Sequence, residues 1–176
     1  MWRTVKEVVK LIVIAVVIAY PLRYYVAQPF FVRGSSMEPN FYSGEYLIID
    51  ELSFRFREPQ RGEVVVLRYP LDDAQYFIKR IIGLPGERVE IVDGRVTVFN
   101  AQYPEGRALD EERYVRIPTP GQVNLTLGER QYFVLGDNRG ASSDSRRWGA
   151  LGRDDIIGRV WIRAFPFERA TVFAAP

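Results

Sequence analysis

The sequence predicts a mainly β chain, a barrel or sandwich, with one N-terminal transmembrane helix. Two patterns carry that expectation. One is the stretch over residues 11–22, LIVIAVVIAYPL, which holds no charge. The other is a succession of short segments rich in Val, Ile, Tyr and Phe, separated by Gly and Pro turn signals, the spacing of an all-β domain. A length of 176 residues suits one compact domain with an appendage.

In chain order, residues 1–7 are expected on the cytoplasmic side and an anchor over 8–27. Between Val8 and Val32 the polar interruptions are Lys10, Arg23 and Gln28. A span of roughly 20 residues is reached if Lys10 and Arg23 snorkel to the two interfaces, with Tyr20, Tyr24 and Tyr25 as an aromatic belt. Arg3, Lys6 and Lys10 favour a cytoplasmic leading end, which makes this a single-pass plasma-membrane chain with residues 28–176 outside. A cleaved secretory signal shares the basic start and apolar run. Against it, Tyr25-Val26-Ala27 puts a bulky residue where such a site wants a small one. A buried core helix is the remaining alternative.

Strands are expected over 46–50, 63–69, 76–83, 88–92, 95–99, 131–136 and 158–165. Pro59-Gln60-Arg61-Gly62, Pro85-Gly86 and Asp93-Gly94 supply the turns between them. The segment over about 100–128 is polar and Pro-rich. It is expected to be a small insert, a loop or β-ribbon outside the core.

Composition removes whole classes of function. The net charge of +2 comes from 24 basic and 22 acidic residues spread along the chain, not from the basic stripe that nucleic acid requires. Cysteine is absent, which excludes disulfides and thiolate chemistry. Histidine is absent too, so a Ser-His-Asp triad is impossible. The lysines are Lys6, Lys10 and Lys79. Because Arg stays charged at any accessible pH, a base beyond the first ten residues is Lys79, a freed terminal amine or a carboxylate.

Three constellations can carry chemistry. Gly34-Ser35-Ser36-Met37-Glu38-Pro39 is a small-residue turn that can expose a nucleophile and an amide, or an ordinary juxtamembrane linker. Lys79 sits inside the apolar run Tyr76-Phe77-Ile78-Lys79-Arg80-Ile81-Ile82-Gly83, where burial would lower its pKa enough to accept a serine proton. As a plain strand-edge lysine it would instead pack its stem and keep its head in water. The loop from Gly136 to Gly149 holds Asp137, Ser142, Asp144 and Arg146. It can supply turn hydrogen bonds, or a metal loop built on Asp137 and Asp144, or a Ser142 hydroxyl that orients Lys79 with an Asp144–Arg146 pair holding the loop.

Taken together and in order, S-M-x-P, Y-S-G-E-Y, R-G-E-V-V-V, Y-F-I-K-R-I-I-G-L-P-G-E and G-D-N-R-x-x-S-x-D-S-R-x-W-G resemble the type I signal peptidases over nearly the whole chain. The resemblance implies a signal-peptidase-like β fold and a membrane-bound Ser/Lys-dyad endopeptidase that removes signal peptides from exported preproteins. Cleavage is implied after small residues in an A-x-A-like pattern. Ser36, which immediately precedes Met37, is the implied nucleophile in preference to Ser35. Lys79 is then the general base, Ser142 the lysine-orienting hydroxyl, and Asp144 with Arg146 a structural support.

Phe31, Val32, Met37, Phe41, Tyr76, Phe77 and Ile78 are candidates for the cleft walls. Gly34 departs from relatives that carry a hydroxyl two residues before the nucleophile, and a side chain there is expected to be tolerated. Gly140-Ala141 likewise replaces an Asp-Asn pair. Preproteins and membrane phospholipid are the implied partners, with no cofactor, no metal and no nucleic acid. The competing readings are a self-cleaving Ser/Lys regulator of the same fold and a membrane-held β-rich binding module.

Overall fold

A computed structural model describes residues 5–14, 17 and 27–174. Residues 5–14 form helix α1. Its apolar side chains are not covered, with Leu11, Ile12 and Val13 exposing 66%, 57% and 53% of their surface. Much of the expected anchor, residues 15, 16 and 18–26, lies outside the described residues. Among those described, no helix is long and apolar enough to cross a membrane.

The domain that follows is built from two antiparallel sheets. The larger has eight strands, which in spatial order are β1 (Ala27–Phe31), β2 (Tyr46–Asp50), β11 (Ile156–Phe165), β3 (Val64–Tyr69), β4 (Asp72–Gly83), β9 (Gln131–Leu135) and β10 (Leu151–Gly152), with β12 (Thr171–Val172) pairing on β11. The smaller runs β7 (Arg107–Ala108), β6 (Arg95–Phe99), β5 (Arg88–Val92) and β8 (Val123–Thr126). In β5 and β6, Val89, Ile91, Val96 and Val98 alternate inward, as a half-buried strand pair requires. Asp93 and Gly94 both adopt positive φ between them, the backbone of a two-residue hairpin turn.

The core is divided by these layers. One cluster joins Val65, Leu67, Ile81, Tyr132 and Val134 within the larger sheet. A second joins Ile82, Phe133 and Leu135 of the larger sheet to Val89, Ile91, Val96 and Val98 of the smaller. The third packs Met37 and Phe41 against Leu47, Ile49, Val66 and Val160.

The strands expected from sequence all form, with ends displaced by a few residues. β4 starts earlier, at Asp72, because its first half continues the β3–β4 hairpin in exposed, polar residues. The short strands β7, β8, β10 and β12 have too few residues to show a period, and the sequence of β1, AQPFF, has no polar–apolar alternation. The segment over 100–128 corrects an expectation, since it is not outside the core. β7 and β8 complete the smaller sheet, Leu127 and Thr119 are buried, and Leu109, Val123 and Leu125 pack on the second cluster.

That segment is also locked to the loop after β9. Buried Arg139 makes a two-pronged pair with Glu111, with N–O distances of 2.8 and 2.7 Å. It also bonds the Thr119 hydroxyl and, through Nε, the Gly136 carbonyl. Removing one partner of such a pair strands a buried charge. Arg139→Ala should therefore lower the unfolding free energy by about 3 kcal/mol, and Arg139→Lys should recover little of it because two-pronged geometry is lost. Denaturant titration of both variants measures this.

Candidate active site

The loop that carries Ser36 follows β1. It is held as a tight turn in which the Glu38 amide donates to Ser35 O (3.2 Å) and the Asn40 and Phe41 amides donate to Met37 O (3.0 and 2.9 Å). Met37 and Phe41 are 1% and 2% exposed, at the centre of the third cluster. Neither lines a cleft wall as expected. Both anchor the loop from beneath, which leaves Ser36 on its upper side. From across the site, the Asn138 amide donates to Ser36 O and its side-chain amide to Ser35 O, each at 3.0 Å.

Gly136 marks how close these two loops come. A Cβ there would land on both Ser142 Oγ and Ser36 O, so only hydrogen fits.

Lys79 comes from β4, where it pairs across from Val65 of β3. Phe77 and Ile81, two residues to either side, pack with the first core cluster, and Lys79 itself is 2% exposed. Its Nζ lies 3.0 Å from Ser36 Oγ and 2.8 Å from Ile78 O. The first contact suits either direction of proton sharing, since an ammonium donates to the hydroxyl and a neutral amine accepts from it. Burial pushes the lysine down to about 8, opposed by the negative charges of Asp144 and Asp137. At that value about a tenth of the lysine is uncharged at neutral pH.

The two carboxylates are themselves neutralised. Asp137 accepts Arg80 Nε and Nη2 at 2.8 and 2.7 Å. Asp144 accepts Arg146 Nε and Nη2 at 2.8 and 2.7 Å, caps α2 (Ser145–Trp148) through the Arg146 amide, and accepts the Gly136 amide at 3.1 Å. Arg146 reaches on to Arg139 O at 2.8 Å. These commitments leave neither carboxylate facing open space as a metal ligand would. The expected Asp144–Arg146 pair is formed, and Arg80–Asp137 joins it as a partner the sequence reading missed. Arg80 was visible there only as the neighbour of Lys79.

Ser142 differs from expectation. Its Oγ is buried beside Gly136 and has no hydrogen-bond partner among the described residues, while Lys79 Nζ bonds to Ser36 and Ile78. Gly34 differs as well. Nothing lies within 4 Å of where its Cβ would be, but its φ is +89°, a backbone that L side chains adopt only under strain. Space for a side chain is therefore present while the conformation disfavours one.

Ser36 and Lys79 open onto a cleft of about 570 Å³. Of the expected wall residues, Phe31, Val32, Tyr76, Phe77 and Ile78 line it. Phe30, Arg33, Leu47, Val66, Ala141 and Ser143 also line it and were not singled out from sequence. Phe30 directly precedes the expected wall residue Phe31 in β1, and no local signal in the sequence separates the two.

The chain is similar in sequence to known signal peptidases. A "Probable signal peptidase I-1" of Synechocystis sp. is 37% identical over 175 residues, covering 96% of this chain and 86% of that protein. A "Probable signal peptidase I-2" of the same organism is 39% identical over 169 residues, covering 93% and 74%. A crystal structure of a signal peptidase I from Enterococcus faecalis aligns with 30% identity over 59% of this chain and 97% of that one, at a TM-score of 0.48. The model of the family described as signal peptidase, peptidase S26, matches residues 5–165, and with it the chain belongs to that family of serine peptidases.

Proposed function

We propose that this chain is a membrane-bound signal peptidase I that cleaves exported preproteins by a Ser36–Lys79 dyad. The observation that carries the reading is the 3.0 Å approach of Ser36 Oγ to the Nζ of a lysine that is 2% exposed. Uncharged Lys79 accepts the Ser36 proton as Oγ attacks the scissile carbonyl, then returns it to the departing amine of the mature protein. The signal peptide remains as an ester on Ser36. Lys79 next takes a proton from water, and the resulting hydroxide releases the peptide and regenerates the serine.

The oxyanion is met by the Ser36 amide, which carries no hydrogen bond among the described residues. A second amide of the Gly34 turn or a water completes the hole. Ser142, unpartnered and buried, orients the lysine once Lys79 turns its lone pair toward Ser36. Asp144 and Arg146 hold the loop from behind.

Selectivity for small residues follows from the floor of the cleft. Buried Leu47 and Val66 close it, and a pocket of this kind rejects bulk by about 1–3 kcal/mol per added methylene. Membrane attachment is supported by the uncovered apolar face of α1. It is supported again by an exposed aromatic row, in which Phe31, Tyr46 and Phe165 stand in register across β1, β2 and β11 with Phe167 edge-on to Phe165 at 5.7 Å. Such a patch beside the cleft suits contact with phospholipid.

Mutation, pH dependence and stability test the reading. With a preprotein substrate, Ser36→Ala abolishes turnover whereas Ser35→Ala retains most of it; the reverse result reassigns the nucleophile. Lys79→Arg is inactive because guanidinium cannot accept the proton, and the wild-type rate climbs with pH through about 8. Linkage gives the same group a second signature. Its folded pKa is below its unfolded value of 10.5, so the penalty for the buried ammonium is complete below about 8 and vanishes as pH rises to 10.5. Stability measured relative to Lys79→Met should rise across that window, by about 3 kcal/mol in all. Finally, Gly34→Ser should lose about 1–2 kcal/mol of stability and cleave more slowly in single turnover, in place of the gain that an added hydroxyl would give on an unstrained backbone.

A further inference from the structure

Asn40 lies four residues beyond Ser36, outside the reacting pair, yet its backbone amide, backbone carbonyl and side-chain NH2 are all engaged. Its amide donates to Met37 O at 3.0 Å. Its carbonyl accepts Arg163 Nη2 at 2.7 Å and Arg169 Nη2 at 3.3 Å, from β11 and the turn that follows it. Its side-chain Nδ2 donates both to Asp137 Oδ2 and to Tyr114 O, each at 2.8 Å. One side chain thus joins the nucleophile loop, the loop after β9 and the 100–128 segment.

Resting on the reading of Ser36 and Lys79 as the reacting pair, we infer that Asn40 is a positioning residue for it, fixing the nucleophile loop against the Asp137 carboxylate that lies behind the lysine. Other contacts between these loops, from Asn138 to Ser36 O and Ser35 O and from the Asp137 amide to Met37 Sδ, engage backbone or sulfur. Asn40 instead engages the carboxylate whose two oxygens bind Arg80, the chain neighbour of Lys79. Displacement of the Asn40 amide therefore moves Ser36 and disturbs the Arg80–Asp137 pair at the same time.

The charges around the site give this link an electrostatic consequence. Lys79 faces Asp137 from the loop after β9 and Asp144 from the start of α2. Asp144 is paired with Arg146, and Asp137 with Arg80 on the lysine's own strand. The Tyr114 ring covers the Arg80 guanidinium at 4.3 Å, and beyond it Glu111 is paired with Arg139. The Asn40 side-chain amide supplies Asp137 with a neutral donor hydrogen on the side toward the nucleophile loop and gives its other hydrogen to Tyr114 O. Asn40→Asp keeps the shape, removes those donors and sets a second carboxylate against the first. The added negative charge favours the Lys79 ammonium.

The test uses full-length enzyme in detergent or bilayer and a signal-peptide substrate, with kcat expressed per active site titrated by a serine-acylating probe. Asn40→Asp and Asn40→Ala should each lower kcat at least about tenfold with KM within about twofold of wild type. In Asn40→Asp the rising limb of the kcat–pH profile should also move to higher pH. A purely structural role would lower the melting temperature while leaving kcat per active site and the limb unchanged. A kcat within about twofold of wild type in both variants, an unmoved limb in Asn40→Asp, or failure of both variants to fold overturns the inference. Lys79→Arg run alongside separates the two claims: if it cleaves like wild type, the dyad reading fails, and if it is dead while Asn40→Asp behaves as wild type, the Asn40 inference alone fails.

Discussion

Keeping one primary amine out of water beside a serine is the constraint on which the rest of the site depends. Desolvation is the largest influence on Lys79, and it acts against the charge that nearby carboxylates favour. Had Asp137 and Asp144 been left bare at this range, their attraction would have opposed that lowering more strongly. Each is instead matched to a guanidinium in two-pronged contact. Paired charges project a weaker field than single ones, so burial prevails. The arginines are therefore part of the reason that the lysine can lose its proton.

The same logic explains the division of cations in the chain. Arg80, Arg139 and Arg146 serve as fixed struts with partly or fully buried heads, a task for a planar group that never deprotonates. Lys79 alone among the lysines lies beyond residue 10, at the buried position beside Ser36. Lysine's readiness to shift its pKa on burial is a hazard in a strut and an asset in a base. Composition thus restricted the possible chemistry before any geometry was known.

Legibility from sequence followed the range of the interactions. Strands β2 to β6, β9 and β11 carried their own signal, whereas β1, also of five residues, did not, and Ser36 and Lys79 could be singled out because Met37 and the apolar run around Lys79 lie next to them in the chain. Met37 and Phe41 were misread as wall residues. A large apolar side chain in a loop looks the same whether it faces a cleft or a core, and only the packing of β2, β3 and β11 beneath the loop distinguishes the two. The 100–128 segment was placed outside the core for a related reason, since its burial depends on Val89 and Ile91 across a sheet that did not exist in the sequence pattern. Gly34 posed a third limit, for a glycine's identity does not report the sign of its φ. The Arg139–Glu111 and Asn40–Asp137 contacts join residues 28 and 97 positions apart, beyond any local signal.

The strand order gives the cleft its form. β1 has a partner on one side only, and β4 pairs with β9 only from Arg80 onward, so β1 and residues 76–79 each present an edge without a strand neighbour. The sheet runs from β1 through β2, β11 and β3 to β4, and it curves enough to bring Phe30 of one edge within 5.7 Å of Tyr76 of the other, measured between ring centroids. An unpaired edge is a template for an added strand. An extended peptide laid in this gap would be read by backbone hydrogen bonds along the edges and by side-chain volume at the cleft floor. Recognition of that kind is indifferent to most of the substrate's sequence, as an enzyme acting on many preproteins requires. It also makes the gap itself a functional element. A sheet that closed β1 directly onto β4 would bury more apolar surface and remove two exposed edges, and it would leave no room for a peptide beside Ser36 and Lys79.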